Sequence, residues 1–160
     1  MFEDVKKSIL SGIMIAFGCS VYLSCVDKGL IWLGSFLFSA GLFTICEYGF
    51  NLYTGKVGYI AFRFKDLDYL GLVILILIFN LLTTFCLGIL IGKNFEAVRN
   101  VALQIYSAKF QMPLWKLFLS GILCGILMYL AVDTWKRGSK IGCFIYVPLF
   151  ILCGFDHSIA

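Results

Sequence analysis

The sequence predicts an all-α, polytopic transmembrane helical bundle, laid out as an inverted repeat with broken second and fifth helices and an incomplete second repeat. Three observations predict it: an apolar composition, five long stretches free of charge, and two interruptions of similar character near the ends of corresponding stretches. The 160 residues are 61% hydrophobic and 14% charged, against about 45–50% and about 25% in soluble domains, and the mean hydropathy is +0.97. A soluble core of one domain's length cannot bury that much apolar surface, so lipid must cover the remainder. This excludes a secreted disulfide scaffold, a disordered chain and an ordinary cytosolic enzyme. A net charge of +4 spread along the chain gives no basic face for nucleic acid.

The charge-free stretches are Ser8–Val26, Gly29–Cys46, Tyr69–Gly92, Leu117–Val132 and Ile141–Phe155. A crossing needs about 20 residues, within a range of about 17–25. The first three qualify by length, the fourth does so once extended to Trp135, and the fifth is short. The first is no signal peptide: it is longer than an apolar signal core and Val26-Asp27-Lys28 offers no small-residue cleavage site. Lys93–Pro113 has mixed polarity and reads as an outer loop carrying a short interfacial helix. With the N-terminus inside, the inner segments carry 8 Lys and Arg residues and the outer segments 5, which favours a cytoplasmic N-terminus. Cys19, Cys25, Cys46, Cys86, Cys124, Cys143 and Cys153 all lie within apolar stretches and form no C-x-x-C pair, so they read as packing residues with no metal and no cofactor.

The interruptions carry more information than the spans. The second stretch meets Glu47 and continues as Tyr48-Gly49-Phe50-Asn51-Leu52-Tyr53-Thr54-Gly55, too apolar for a water-exposed loop. Irregular backbone at membrane depth persists only when buried in protein or lining a cavity. The expected arrangement is helix to Cys46, irregular chain over Glu47–Tyr53 and helix again from Thr54 to Phe62. The fifth stretch likewise runs into Gly154-Phe155-Asp156-His157-Ser158. Ser11-Gly12-Ile13 matches Ser120-Gly121-Ile122 at an offset of 109, and each unit reaches an acidic residue, Glu47 or Asp156, 36 residues later. The first unit holds three crossings, so a second copy is inverted; paired interrupted helices in inverted repeats point to a transport site. The second unit stops at Ala160, inside its break, so the sequence reads as a fragment or incomplete product lacking the rest of the fifth helix and a sixth.

The segment Gly154-Phe155-Asp156-His157-Ser158-Ile159-Ala160 resembles the G-F-[ED]-H-S-[IV]-A-N motif of the formate/nitrite transporters. Gly49-Phe50-Asn51-Leu52-Tyr53-Thr54-Gly55 is similar to that family's G-x-[DE]-L-F-T-[GS]. Lys109 followed by Phe118-Leu119-Ser120-Gly121-Ile122-Leu123-Cys124 resembles the stretch leading to its G-I-L-C-N. Asn51 departs from the motif's acidic residue and Gly125 from its Asn, which removes a polar group from the pore lining. The resemblance implies a homopentamer of aquaporin-like subunits in the bacterial inner membrane. Each subunit would pass small monovalent anions or their acids, such as formate, nitrite, hydrosulfide or a short carboxylate, without enzymatic chemistry. It places His157 at the centre of the pore and Thr54 opposite it. It sets Leu42, Leu52 and Tyr53 at an inner narrowing, Phe38 and Phe150 at an outer one, and Lys109 at the outer vestibule.

The residue chemistry leaves alternatives beside these roles. His157 is the one histidine; an ionisable group at membrane depth is a functional candidate, and a neutral histidine capping a broken helix is the plainer reading. Thr54 either bonds His157 or caps the following helix. Lys109 either attracts anions or is simply solvated. Phe38, Leu42, Leu52, Tyr53 and Phe150 are otherwise ordinary packing residues. Glu47 and Asp156 are expected to satisfy freed N–H groups at helix starts. Two other classes compete: a membrane enzyme, for which no nucleophile–base pair or metal cluster is provided, and a non-transporting truncated or structural subunit.

Overall fold

Each charge-free stretch becomes a helix in the computed structural model, which describes residues 1–160. The elements are α1 (Phe2–Asp27), α2 (Ile31–Glu47), α3 (Tyr53–Val57), α4 (Ile60–Arg63), α5 (Leu67–Asn94), α6 (Glu96–Phe110), α7 (Leu114–Lys136) and α8 (Ile141–Leu152). Helices α1, α5 and α7 are long and apolar enough to cross a membrane. Helix α8, with 12 residues, covers only about 18 Å of a hydrocarbon core about 30 Å thick, so the chain beyond it lies within the membrane.

The second crossing is interrupted at Tyr48–Leu52, within a residue of the segment expected from its composition. The helix resumes as α3 and, after Gly58-Tyr59, as α4. Helix α1 packs on α2 and α5, α7 packs on α8, α2 meets α8 at the centre, and α3 lies against α7. The N-terminal part of α1 reaches the first break, where Asn51 N–H donates to the Lys7 carbonyl. The C-terminal part of α7 reaches the chain just after that break, where the Tyr59 hydroxyl donates to Asp133. Helices α1 and α7 therefore run in opposite directions, as an inverted repeat requires.

Lipid gives little hydrophobic drive for helices to associate, so close contact depends on small residues. A Cβ at Gly12 would lie 2.7 Å from Thr83 Cβ, and one at Gly41 2.9 Å from the Met14 carbonyl oxygen. Several hydroxyls along these helices are satisfied within their own helix: Ser8, Ser20, Ser24, Ser35 and Thr83 each donate to the carbonyl four residues back. The outward face of α5 is apolar and exposed, with Ile74, Ile78, Leu82 and Phe85 among its residues.

The repeat has a different register from the one its acidic residues suggest. Helices α1 and α7 end alike, at Gly29 (φ 72°) and Gly138 (φ 89°), and these two glycines keep the offset of 109. Helices α2 and α8 also end alike, at Gly49 (φ 63°) and Gly154 (φ 71°). Phe50 N–H donates back to the Ile45 carbonyl at 2.8 Å, and Phe155 N–H to the Phe150 carbonyl at 2.9 Å. This is the bonding of a helix closed by a left-handed glycine. The offset here is 105, because α2 exceeds its counterpart by about one turn. Asp156 therefore corresponds to Asn51, and His157 to Leu52. The expected pairing of Glu47 with Asp156 is wrong, and so is their role at helix starts. Glu47 is the last residue of α2, and its carboxylate pairs with Lys140 at 3.0 Å; Asp156 accepts from the Ser120 hydroxyl and pairs with Lys109.

Candidate functional site

The two breaks meet. Thr54, the second residue of α3, and His157, beyond the end of α8, are both buried, and Thr54 Oγ1 lies 3.1 Å from His157 Nε2. The ring's other nitrogen fixes the direction of this bond. His157 Nδ1 accepts the backbone N–H groups of Ile159 at 3.3 Å and Ala160 at 3.2 Å. A nitrogen that accepts two donors carries no proton, so in the neutral ring the proton sits on Nε2. Nε2–H therefore donates to Thr54 Oγ1, and the Thr54 hydroxyl proton remains free to bond elsewhere. Protonating Nδ1 would set a third N–H against two existing donors. Thr54 does not cap α3; it bonds His157.

Aromatic rings continue from the imidazole. Phe150 stacks on His157 with centroids 5.6 Å apart, and Phe38 meets Phe150 edge-on at 6.2 Å. Phe38, Phe150, His157 and Lys109 line a cavity of about 400 Å³ that also touches Cys19 and Tyr22. Leu42, Leu52 and Tyr53 do not line it. Leu42 and Leu52 are fully packed into the core that contains Phe38 and Phe150, with Tyr53 against that core. The candidate residues thus divide into those that border open space and those packed into the core.

Lys109 reaches the site because α6 packs against α1, which brings the last turn of α6 over the second break. Its ammonium pairs with Asp156 Oδ1 at 2.5 Å. Ser120 holds the same carboxylate: its hydroxyl donates to Asp156 Oδ2 at 2.8 Å, and Ser120 Oγ accepts Asp156 N–H at 2.7 Å. Lys109 is therefore not a free solvated charge.

Two polar residues of this region carried no sequence expectation of their role here. Ser120 marks the repeat and lies in the stretch that resembles the family's fourth-helix motif. Asn80 belongs to no motif, although a lone Asn in the middle of a 24-residue charge-free stretch is a visible signal. It is fully buried and bonds to Tyr53 N–H and to the carbonyls of Ser8 and Asn51.

An all-helical membrane protein in which two interrupted helices converge on a buried polar contact, beside a cavity, belongs to the class of channels and transporters. The family is equally definite: the formate/nitrite transporter family model matches residues 3–160, and the chain belongs to that family. It is therefore a membrane protein of a transporter family and not an enzyme. The sequence is 28% identical over 177 residues to the uncharacterized transporter YwcJ of Bacillus subtilis (strain 168), an alignment covering 98% of this chain and 69% of that protein. The fold matches a structure described as a pentameric formate channel with formate bound, with TM-score 0.80 and 22% identity, over 98% of this chain and 70% of that one.

Proposed function

We propose that the protein passes small monovalent anions, or their conjugate acids, across the bacterial cell membrane by way of the His157–Thr54 contact. Formate and nitrite are the leading substrates, with hydrosulfide and short carboxylates such as acetate or lactate of the same class. The observation that carries this reading is the 3.1 Å bond joining the two breaks, with His157 bordering an open cavity. A bare anion entering an apolar narrowing loses its hydration at high cost, whereas the neutral acid loses far less. A donor at the narrowing offsets part of that cost. The Thr54 hydroxyl proton, released by the Nε2–H donation, is such a donor. Lys109, held by Asp156 and bordering the cavity, contributes a cation on the approach. Phe38 and Phe150 form the narrowing on the cavity side, and Leu42, Leu52 and Tyr53 the one beyond.

The assembly proposed is a homopentamer, a reading supported by the pentameric formate channel that shares the fold. The N-terminus is placed in the cytoplasm on the Lys and Arg count. The test is uptake of labelled formate into proteoliposomes containing the protein. Uptake above protein-free vesicles, competed by nitrite, is the expected result. Uptake equal to protein-free vesicles at the same lipid composition rejects transport in favour of a structural subunit.

A further inference from the structure

The proposed passage requires Thr54 to stand opposite His157, and that depends on where the first break is held. The break lacks its own helical ladder. Tyr53 is the first residue of α3, and an N–H at that position has no partner within its helix. In lipid no water substitutes for the missing partner.

Asn80, in the middle of α5, supplies it. Its Oδ1 accepts Tyr53 N–H at 2.9 Å, and its Nδ2 donates to the Asn51 carbonyl at 3.1 Å and to the Ser8 carbonyl on α1 at 2.8 Å. An amide side chain offers two donor hydrogens and one acceptor oxygen, and all are used. The two bonds to the break bracket Leu52 and end one residue before Thr54. The third ties the same amide to α1, against which α5 is already close-packed at Gly12 and Thr83. The break is thus fixed from two rigid helices through one side chain. The amide is also neutral. A carboxylate in its place would still accept Tyr53 N–H, but it would lose both donor bonds and put a negative charge behind a path for anions.

We propose that Asn80 is a positioning residue of the passage, setting the height of the first break so that Thr54 Oγ1 meets His157 Nε2. This rests on the transport reading for its consequence, but not for its test. His157 is the only histidine, so protein labelled with ¹⁵N-histidine gives one pair of ring-nitrogen signals in detergent or lipid. In the parent, Nε2 is expected to be protonated and Nδ1 bare. Removing the Thr54 acceptor in Thr54→Val defines the shift for a lost contact. Asn80→Leu, close in volume and without polar atoms, is expected to move the Nε2 signal the same way, and the double variant is expected to add nothing. Formate flux per folded protein is expected to fall about tenfold, since small misplacements from remote residues carry such effects.

A His157 signal in Asn80→Leu that superimposes on the parent overturns the proposal, as does a double variant whose shift is the sum of the two single ones. Should Asn80→Leu fail to fold, Asn80→Asp, which retains the acceptor for Tyr53 N–H, is read by the same criterion: a moved signal supports positioning and an unmoved one overturns it. A moved signal with unchanged flux in both Thr54→Val and Asn80→Leu leaves positioning intact and counts against the transport reading alone.

Discussion

The two breaks close their helices in the same way and then satisfy their polar groups by different means. After α2, the left-handed glycine Gly49 leads to a neutral segment: Asn51, Leu52 and Tyr53, clamped by the amide of Asn80. After α8, Gly154 leads to a charged one: Asp156, held by Ser120 and Lys109, followed by the histidine. The comparison separates what the fold needs from what the site needs. Both helices end on a left-handed glycine, and both breaks give freed backbone groups a side-chain partner: Asn80 for Tyr53 N–H and the Asn51 carbonyl, Ser120 for Asp156 N–H. Charge is not required for that purpose, since a neutral amide serves the backbone of the first break, whose charged neighbour Asp4 bonds it only at the Asn51 side chain. Lys109 and the imidazole of the second break border the cavity instead, where the proposed passage would use them.

Substitutions that treat the two repeats differently sharpen this comparison. The largest stability effect is expected at the glycines of the shared Ser-Gly-Ile segment. A Cβ at Gly12 meets Thr83 Cβ at 2.7 Å, and a β-branched Cβ cannot move aside, whereas nothing lies within 4 Å of a Cβ at Gly121. Gly12→Ala is expected to destabilise by about 1–3 kcal/mol and Gly121→Ala to change stability by less than about 0.5 kcal/mol, both read from thermal melting in detergent. Equal effects would mean that α1 and α5 are not in the contact described.

Much of this was legible in the sequence, and the exceptions have definite causes. Absence of charge locates α1, α2, α5, α7 and α8 because lipid tolerates little else, and Gly49 and Gly154 mark the breaks because only glycine readily adopts the required φ. The bond from Thr54 to His157 is one of the two roles the sequence allows that residue, the other being a cap. The register of the repeat was not legible, because matching Glu47 to Asp156 assumed equal helix lengths; α2 has 17 residues and α8 has 12. Acidic residues at helix starts were expected on dipole grounds, yet the first break uses Asn80, whose bonding partner Tyr53 lies 27 residues away in sequence. No local pattern reports such a contact. Only the isolation of an amide within apolar sequence hints at it.

A smaller effect tests whether charge is confined to the second break. Asp156→Asn leaves the Lys109 ammonium without its carboxylate. The Lys109 side chain is 39% exposed and borders the cavity, so it keeps polar surroundings without its partner and the loss is expected to be about 1 kcal/mol. The reciprocal change Asn51→Asp puts a carboxylate 3.4 Å from Asp4, where like charges are expected to cost about 1 kcal/mol near neutral pH and nothing once both are protonated. Melting curves of the two variants near neutral pH and near about pH 2 check both values; a stabilising Asn51→Asp would refute the assignment of the ion pair to the second break.

The smallest effect lies outside the membrane and serves as a control. Asp66 caps α5 by accepting Tyr69 N–H at 2.9 Å. That bond, and then the Arg63 guanidinium, hold its carboxyl below the ordinary value of 3.8. A lowered carboxyl contributes stability above its ordinary value and loses it as pH falls through the lowered one. Asp66→Ala is therefore expected to melt below the parent near neutral pH, with the gap closing below about pH 3. Neither ring signal of His157 should move, because Asp66 touches neither break.

The central claim is that the imidazole at the junction of the breaks governs anion passage. Its most direct test is formate flux through reconstituted protein, parent against His157→Asn, between about pH 5 and pH 8. A changed flux in the variant, at equal folded protein, is the expected result, because the Thr54 hydroxyl loses the Nε2–H that sets its proton free. A His157→Asn flux that matches the parent in both size and pH profile would contradict the account.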